Sequence, residues 1–103
     1  MEQPNLSVIK EIAENDIDFQ NSILDILKSE FPKEVEAYKN SFDNKNFLES
    51  VNIVHKLKHK ISLLGLQEGV QLATALETDL KQGNTKLHLK FLEVLDKIHV
   101  YLY

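Results

Sequence analysis

The sequence predicts an all-α protein, an antiparallel up-down-up-down four-helix bundle with a short N-terminal lid helix. Three observations predict it. Apolar residues recur at about 100° per residue through most of the chain rather than alternating. Three Gly and two Pro in 103 residues leave little material for the many tight turns of a β-sandwich, or for a glycine-rich phosphate loop. The breakers that do occur imply short connections, and helices joined by short connections must be antiparallel neighbours. With 43% apolar and 27% charged residues, the chain suits one compact core, so residues 1–103 are expected to form a single domain. No internal repeat or low-complexity segment divides it.

The first helix is expected from about Asn5 to Glu14, with Leu6, Ile9, Ile12 and Ala13 on one side, ending at Asn15-Asp16, where Asp16 can cap its successor. The second runs from about Ile17 to Phe42. Ile17, Ile23, Leu24, Leu27, Phe31, Val35, Tyr38 and Phe42 share one arc of it, and Pro32 does not shift that phase, so a kink near Phe31-Pro32 is expected rather than two helices. Asp43-Asn44 makes the turn. The third, from about Lys45 to Leu64, gathers Phe47, Val51, Ile53, Val54, Leu57, Ile61 and Leu64, and Gly65 stops it. The fourth, from about Gln67 to Lys81, buries Val70, Leu72, Ala73, Leu76 and Leu80 and stops at Gly83-Asn84. The fifth, from about Thr85 to the C-terminus, buries Leu87, Phe91, Val94, Leu95, Ile98, Tyr101 and Leu102.

Composition narrows the function. The chain has no Cys, which excludes disulfides, thiol catalysis and cysteine-based metal centres. Twelve basic against sixteen acidic residues, a net charge of −4, disfavour a nucleic-acid partner, because neutralising phosphates needs a basic surplus. No apolar run approaches the roughly 18 residues of a spanning helix, and Met1-Glu2-Gln3-Pro4 lacks the basic-then-apolar pattern of a secretory leader. A cytoplasmic protein without membrane contact is expected.

Two positions do not fit a plain structural bundle. On the third helix His55 falls just outside the apolar arc, at the rim. On the fourth, Glu77 falls inside the arc, where an unpaired carboxylate carries a desolvation cost. The turn between these helices centres near Leu66, and His55 and Glu77 lie equally far from it, so they are expected to face each other. A carboxylate accepting from Nδ1–H fixes the tautomer whose Nε2 is unprotonated and points outward, and an oriented, neutral Nε2 is a nucleophile. Lys58, three residues after His55, leans to the same side and can hold negative charge arriving there. The plainer alternative is a Glu77–Lys58 ion pair beside a spectator His55.

These residues give the chain its resemblance to a known family. His55-Lys56-Leu57-Lys58, with Gly65 ten residues after the histidine, resembles the core of histidine-containing phosphotransfer (HPt) domains of multistep phosphorelays. Asp16-Ile17-Asp18-Phe19 is similar to that family's opening of the second helix, Phe31-Pro32 to its mid-helix proline, and Leu76-Glu77 with Gly83-Asn84 to the end of its fourth helix. The resemblance implies a phosphorelay intermediate that is not an autonomous enzyme. His55 would be the phosphoacceptor, Lys58 would stabilise phosphoryl charge and Glu77 would orient the imidazole. It implies a response-regulator receiver domain or hybrid sensor histidine kinase as partner, no cofactor of its own, Mg²⁺ in the receiver, and a monomer. One departure is His59, where the family usually has a small residue, followed by Lys60. It can narrow the range of partners, lend the phosphoryl group a second donor, or mark a degenerate member; partner tuning ranks first, since His55, Lys58, Glu77 and Gly65 are intact.

Leu48, Ser62 and Leu63 complete the expected docking surface with His59, an apolar patch ringed by charge of the kind transient partners use; for the two leucines, partial burial under the second helix is the plainer alternative. Lys56, Lys58 and Lys60 project in three directions and form no nucleic-acid patch. A second functional class uses the same atoms: His55 and His59, one turn apart, have the spacing of a shared Zn²⁺ with Glu77 as third ligand, or they form a bare protein-interaction face. The metal alternative is the weaker, because the zincin glutamate is absent and Lys58 and Lys60 would repel the ion. His88 and His99 are expected on the surface of the last helix. No Ser-His-Asp order or paired-acid site stands out.

Overall fold

A computed structural model describes residues 2–103, and among these the regular structure is helical throughout: α1 Ser7–Ala13, α2 Ile17–Asp43, α3 Phe47–Leu63, α4 Gln67–Lys81 and α5 His88–Leu102. α2 packs on α3, α3 on α4, α4 on α5, and α5 returns to α2, while α1 lies against α2 and α3. The α3–α4 contact is the broadest and the α2–α5 contact the lightest of this ring. One core joins them, with Leu27, Phe31 and Tyr38 from α2, Val54, Leu57 and Ile61 from α3, Ala73, Leu76 and Leu80 from α4, and Phe91, Leu95 and Ile98 from α5. Each large apolar side chain buried there contributes roughly 1.5–3 kcal/mol. No helix among the described residues is long and apolar enough to cross a membrane.

Side-chain N-caps start α2 and α3. Asp16 accepts from Phe19 N at 3.1 Å and Asn46 from Glu49 N at 3.3 Å, each satisfying a backbone donor that the first turn leaves free. α3 therefore begins after Asn46 rather than at Lys45, whose φ of 57° belongs to the turn. α5 begins at His88 rather than near Thr85, because Asn84 Oδ1 accepts from Lys86 N and Thr85 O from His88 N, folding those residues into a turn. α4 has no cap from Leu66. Its free N–H groups donate instead to the Glu2 carboxylate, Glu68 N to Oε2 at 3.0 Å and Gly69 N to Oε1 at 2.8 Å. The same N-terminal segment lies over the α3–α4 turn, where Asn5 N donates to Leu64 O at 2.8 Å. Gly65 there has φ +78°, and a Cβ on it would meet Asn5 Nδ2 at 2.6 Å, so the turn needs glycine for conformation and for space.

Several apolar positions lie outside the core. Ile12, Ile17 and Tyr101 were expected inside it, yet Ile17 is 61% exposed and the other two more than 40%; they sit near helix ends, where the periodic face runs out past the last neighbouring helix. α2 is continuous through Pro32. Pro32 has no N–H for the carbonyl of Lys28, and the hydroxyl of Tyr103 donates to that freed carbonyl.

Candidate functional site

His55 sits midway along α3, held in register by Val54 and Leu57, both fully buried. Its side chain is 56% exposed while that of Glu77, across on α4, is 14% exposed. The helical phase therefore delivers both groups to the α3–α4 seam, one outside it and one within. His55 Nδ1 lies 3.6 Å from Glu77 Oε1, longer than a hydrogen bond. The same oxygen lies 2.9 Å from Lys58 Nζ. The expected His55–Glu77 hydrogen bond is thus an electrostatic contact, and the carboxylate belongs first to the lysine, whose flexible stem reaches across the seam where the imidazole cannot. Oε1 is shielded from water and receives no well-aligned hydrogen bond, so the Lys58 contact is an ion pair rather than an angled N–H···O bond. Lys58 Nζ also donates to Thr74 Oγ1 at 3.5 Å.

The three lysines do diverge. Lys56 is exposed, Lys58 turns to α4, and Lys60 turns to α2, where it meets Glu30 Oε1 and Glu34 Oε2 at 3.0 Å each. Lys60 is only 11% exposed; the pull of the two carboxylates outweighs the cost of its burial and raises its pKa. The departure at this position is thus an inter-helix tie. The other departure, His59, is exposed and sets its ring edge-on to His55 with centroids 4.9 Å apart. Leu48 is 73% exposed and Ser62 is exposed, whereas Leu63 is half-buried against the core and offers less surface than expected. Asn52, Lys56 and Lys81 border a shallow depression beside His55 and Glu77. Asn52 and Lys81 were legible in principle, since they lie three residues before His55 and four after Glu77 on the same helix faces.

His88, expected on the surface, is half-buried at the start of α5. Its ring stacks on Phe42 with centroids 3.5 Å apart, and its Nδ1 shares a hydrogen bond of 2.8 Å with the Tyr38 hydroxyl. Burial lowers the His88 pKa, with the charge of Asp43 acting in the opposite, lesser sense, and burial likewise raises that of Tyr38. The sequence carried no local signal of this cluster, because its members come from α2 and the start of α5. Among the described residues no three His, Cys, Asp or Glu side chains gather as metal ligands, and Lys58 occupies the carboxylate that a His55–His59 zinc site would need.

The α3–α4 seam of this all-helical scaffold thus brings together an exposed imidazole in mid-helix, a shielded carboxylate and a lysine. A family model of the Hpt domain matches residues 22–100, and the chain belongs to the Hpt domain family, whose members serve phosphotransfer signalling as carriers that interact with kinases and receivers. No curated protein and no solved structure matches the chain.

Proposed function

We propose that this Hpt domain accepts a phosphoryl group on His55 Nε2 from a receiver aspartate or a hybrid sensor kinase and passes it to another receiver. The observation that carries the proposal is the His55 ring itself, exposed in mid-helix with Nδ1 turned toward the Glu77 carboxylate, which leaves Nε2 on the solvent side. Phosphoryl transfer needs positioning and charge neutralisation more than covalent machinery. The helix face supplies the nucleophile and nearby cations; the receiver supplies its acidic pocket and Mg²⁺, and this chain takes no cofactor of its own. Lys58 neutralises the transferring oxygens, Glu77 sets the electrostatics on the Nδ1 side, and Leu48, His59, Ser62 and the exposed part of Leu63 meet the partner.

The reading takes α2 to α5 as an antiparallel up-down-up-down bundle under the α1 lid, supported by their ring of contacts and short turns. It takes residues 1–103 as one domain, monomeric and cytoplasmic. Incubation with phosphorylated receivers tests it. The chain should gain acid-labile, base-stable label; His55→Gln should abolish that label and His59→Gln should retain it. Label that survives in the His55 variant and vanishes in the His59 variant would assign the nucleophile to the other ring.

A further inference from the structure

Resting on the carrier reading of His55, we propose that Glu77 sets the poise of the carrier, weakening this chain's hold on the phosphoryl group so that the group is handed on. The first ground is that Glu77 competes for the cation. Lys58 Nζ is 2.9 Å from Glu77 Oε1 and 3.5 Å from Thr74 Oγ1, both on α4. The lysine and glutamate side chains are 18% and 14% exposed, so this pair is less screened than a surface pair. Drawing Lys58 to a phosphoryl group on Nε2 leaves a shielded carboxylate without its counter-charge, and phosphorylation bears that cost.

The second ground is charge and hydrogen-bond polarity. In the transfer the Nε2 lone pair forms the N–P bond as the P–O bond to the receiver's aspartate breaks, and the aspartate keeps that electron pair. At pH 8 the Nδ1 proton then leaves to water. The product therefore adds about two negative charges one ring-width beyond a carboxylate that already lies 3.6 Å from Nδ1. Its bare Nδ1 faces a group that can only accept. An amide in the same place would remove the repulsion, release Lys58 and offer Nδ1 an N–H donor. All three changes favour the phosphorylated form, so acid rather than amide at position 77 tilts this chain toward donation.

The test equilibrates wild type and Glu77→Gln with the same phosphorylated receiver at pH 8 and measures the ratio of phosphorylated chain to phosphorylated receiver. Glu77→Gln should raise that ratio by about 5- to 10-fold at low ionic strength, a size expected for one unit charge near a partly screened dianion. The difference should shrink as salt is added, since screening acts on charge and not on packing. Glu77→Asp, which restores the charge, should return most of the ratio toward wild type. If both chains take label on His55 at the same ratio, or if the variant's ratio is lower, the inference falls while the carrier reading stands. If neither chain takes label on His55, the carrier reading falls and takes the inference with it.

Discussion

His55 and His88 each turn Nδ1 toward a polar atom of another helix, and the fold treats them in opposite ways. The Nδ1 of His55 meets a carboxylate oxygen at 3.6 Å while more than half of its side chain stays in water. His88 is stacked on Phe42 and hydrogen-bonded to Tyr38 at 2.8 Å. The lysines repeat the contrast: Lys58 shares one carboxylate oxygen with His55, whereas Lys60 is held between two carboxylates of α2. A ring needed for packing is fixed by contact on its face and its edge. The proposed carrier role asks instead for a ring open to a visiting group, and the neighbours of His55, the Glu77 carboxylate at 3.6 Å and the edge of the His59 ring, leave more than half of its side chain in water.

The largest expected stability effect lies at the fixed ring. His88→Gln removes the stacked imidazole and leaves the buried Tyr38 hydroxyl poorly paired, a loss of about 1–2 kcal/mol, which in a chain of this size lowers Tm by about 5–10 °C. Thermal melts should show the drop while labelling at His55 persists; a variant that melts like wild type would show that the stack contributes nothing. Next is Lys60→Met, which strands Glu34, whose Oε1 is already shielded without a hydrogen bond. A loss of about 1 kcal/mol is expected in urea titrations, with transfer kinetics unchanged. An unchanged midpoint would make Lys60 a spectator.

A smaller effect follows from titration of His88. Burial lowers its pKa from the ordinary 6.5, so the unfolded chain takes up the proton more readily than the folded one. The contribution of the neutral ring is complete above pH 6.5 and is lost as pH falls through the lowered value. Tm should therefore fall between pH 7 and pH 5 by more in wild type than in His88→Gln. Parallel pH profiles for the two chains would separate the cluster from acid sensitivity. The smallest effect is at the open ring: His55→Gln should change stability by less than about 0.5 kcal/mol, since an exposed side chain has few contacts to lose. A large loss there would erase the contrast between the two histidines.

Most of this contrast was legible at the α3–α4 seam and almost none of it at His88. His55 and Glu77 sit on two helices joined by a short turn, so helical phase and distance from Leu66 were enough to bring them together. Within one helical hairpin, sequence separation converts directly into height along the axis. His88 meets Tyr38 across fifty positions, a distance over which no periodicity carries. The Glu2 cap on α4 and the Tyr103 hydroxyl on Lys28 O were hidden for the same reason. Ile12 and Ile17 mark a second limit: phase states which side of a helix is apolar, not whether another element reaches far enough to cover it.

The sequence by itself determined the helical class, the approximate extent of all five helices, the rim position of His55 and the shielding of Glu77, because these follow from periodicity, breakers and caps acting over one or two turns. Only the tertiary structure decided which partner Glu77 keeps. Phase allowed either His55 or Lys58, and the packing of α3 on α4 sets a seam that the long lysine stem crosses to 2.9 Å while the short, rigid imidazole stops at 3.6 Å. It likewise decided that His88 is half-buried against α2, since stacking on Phe42 and a hydrogen bond to Tyr38 exist only once α5 has returned to pack there.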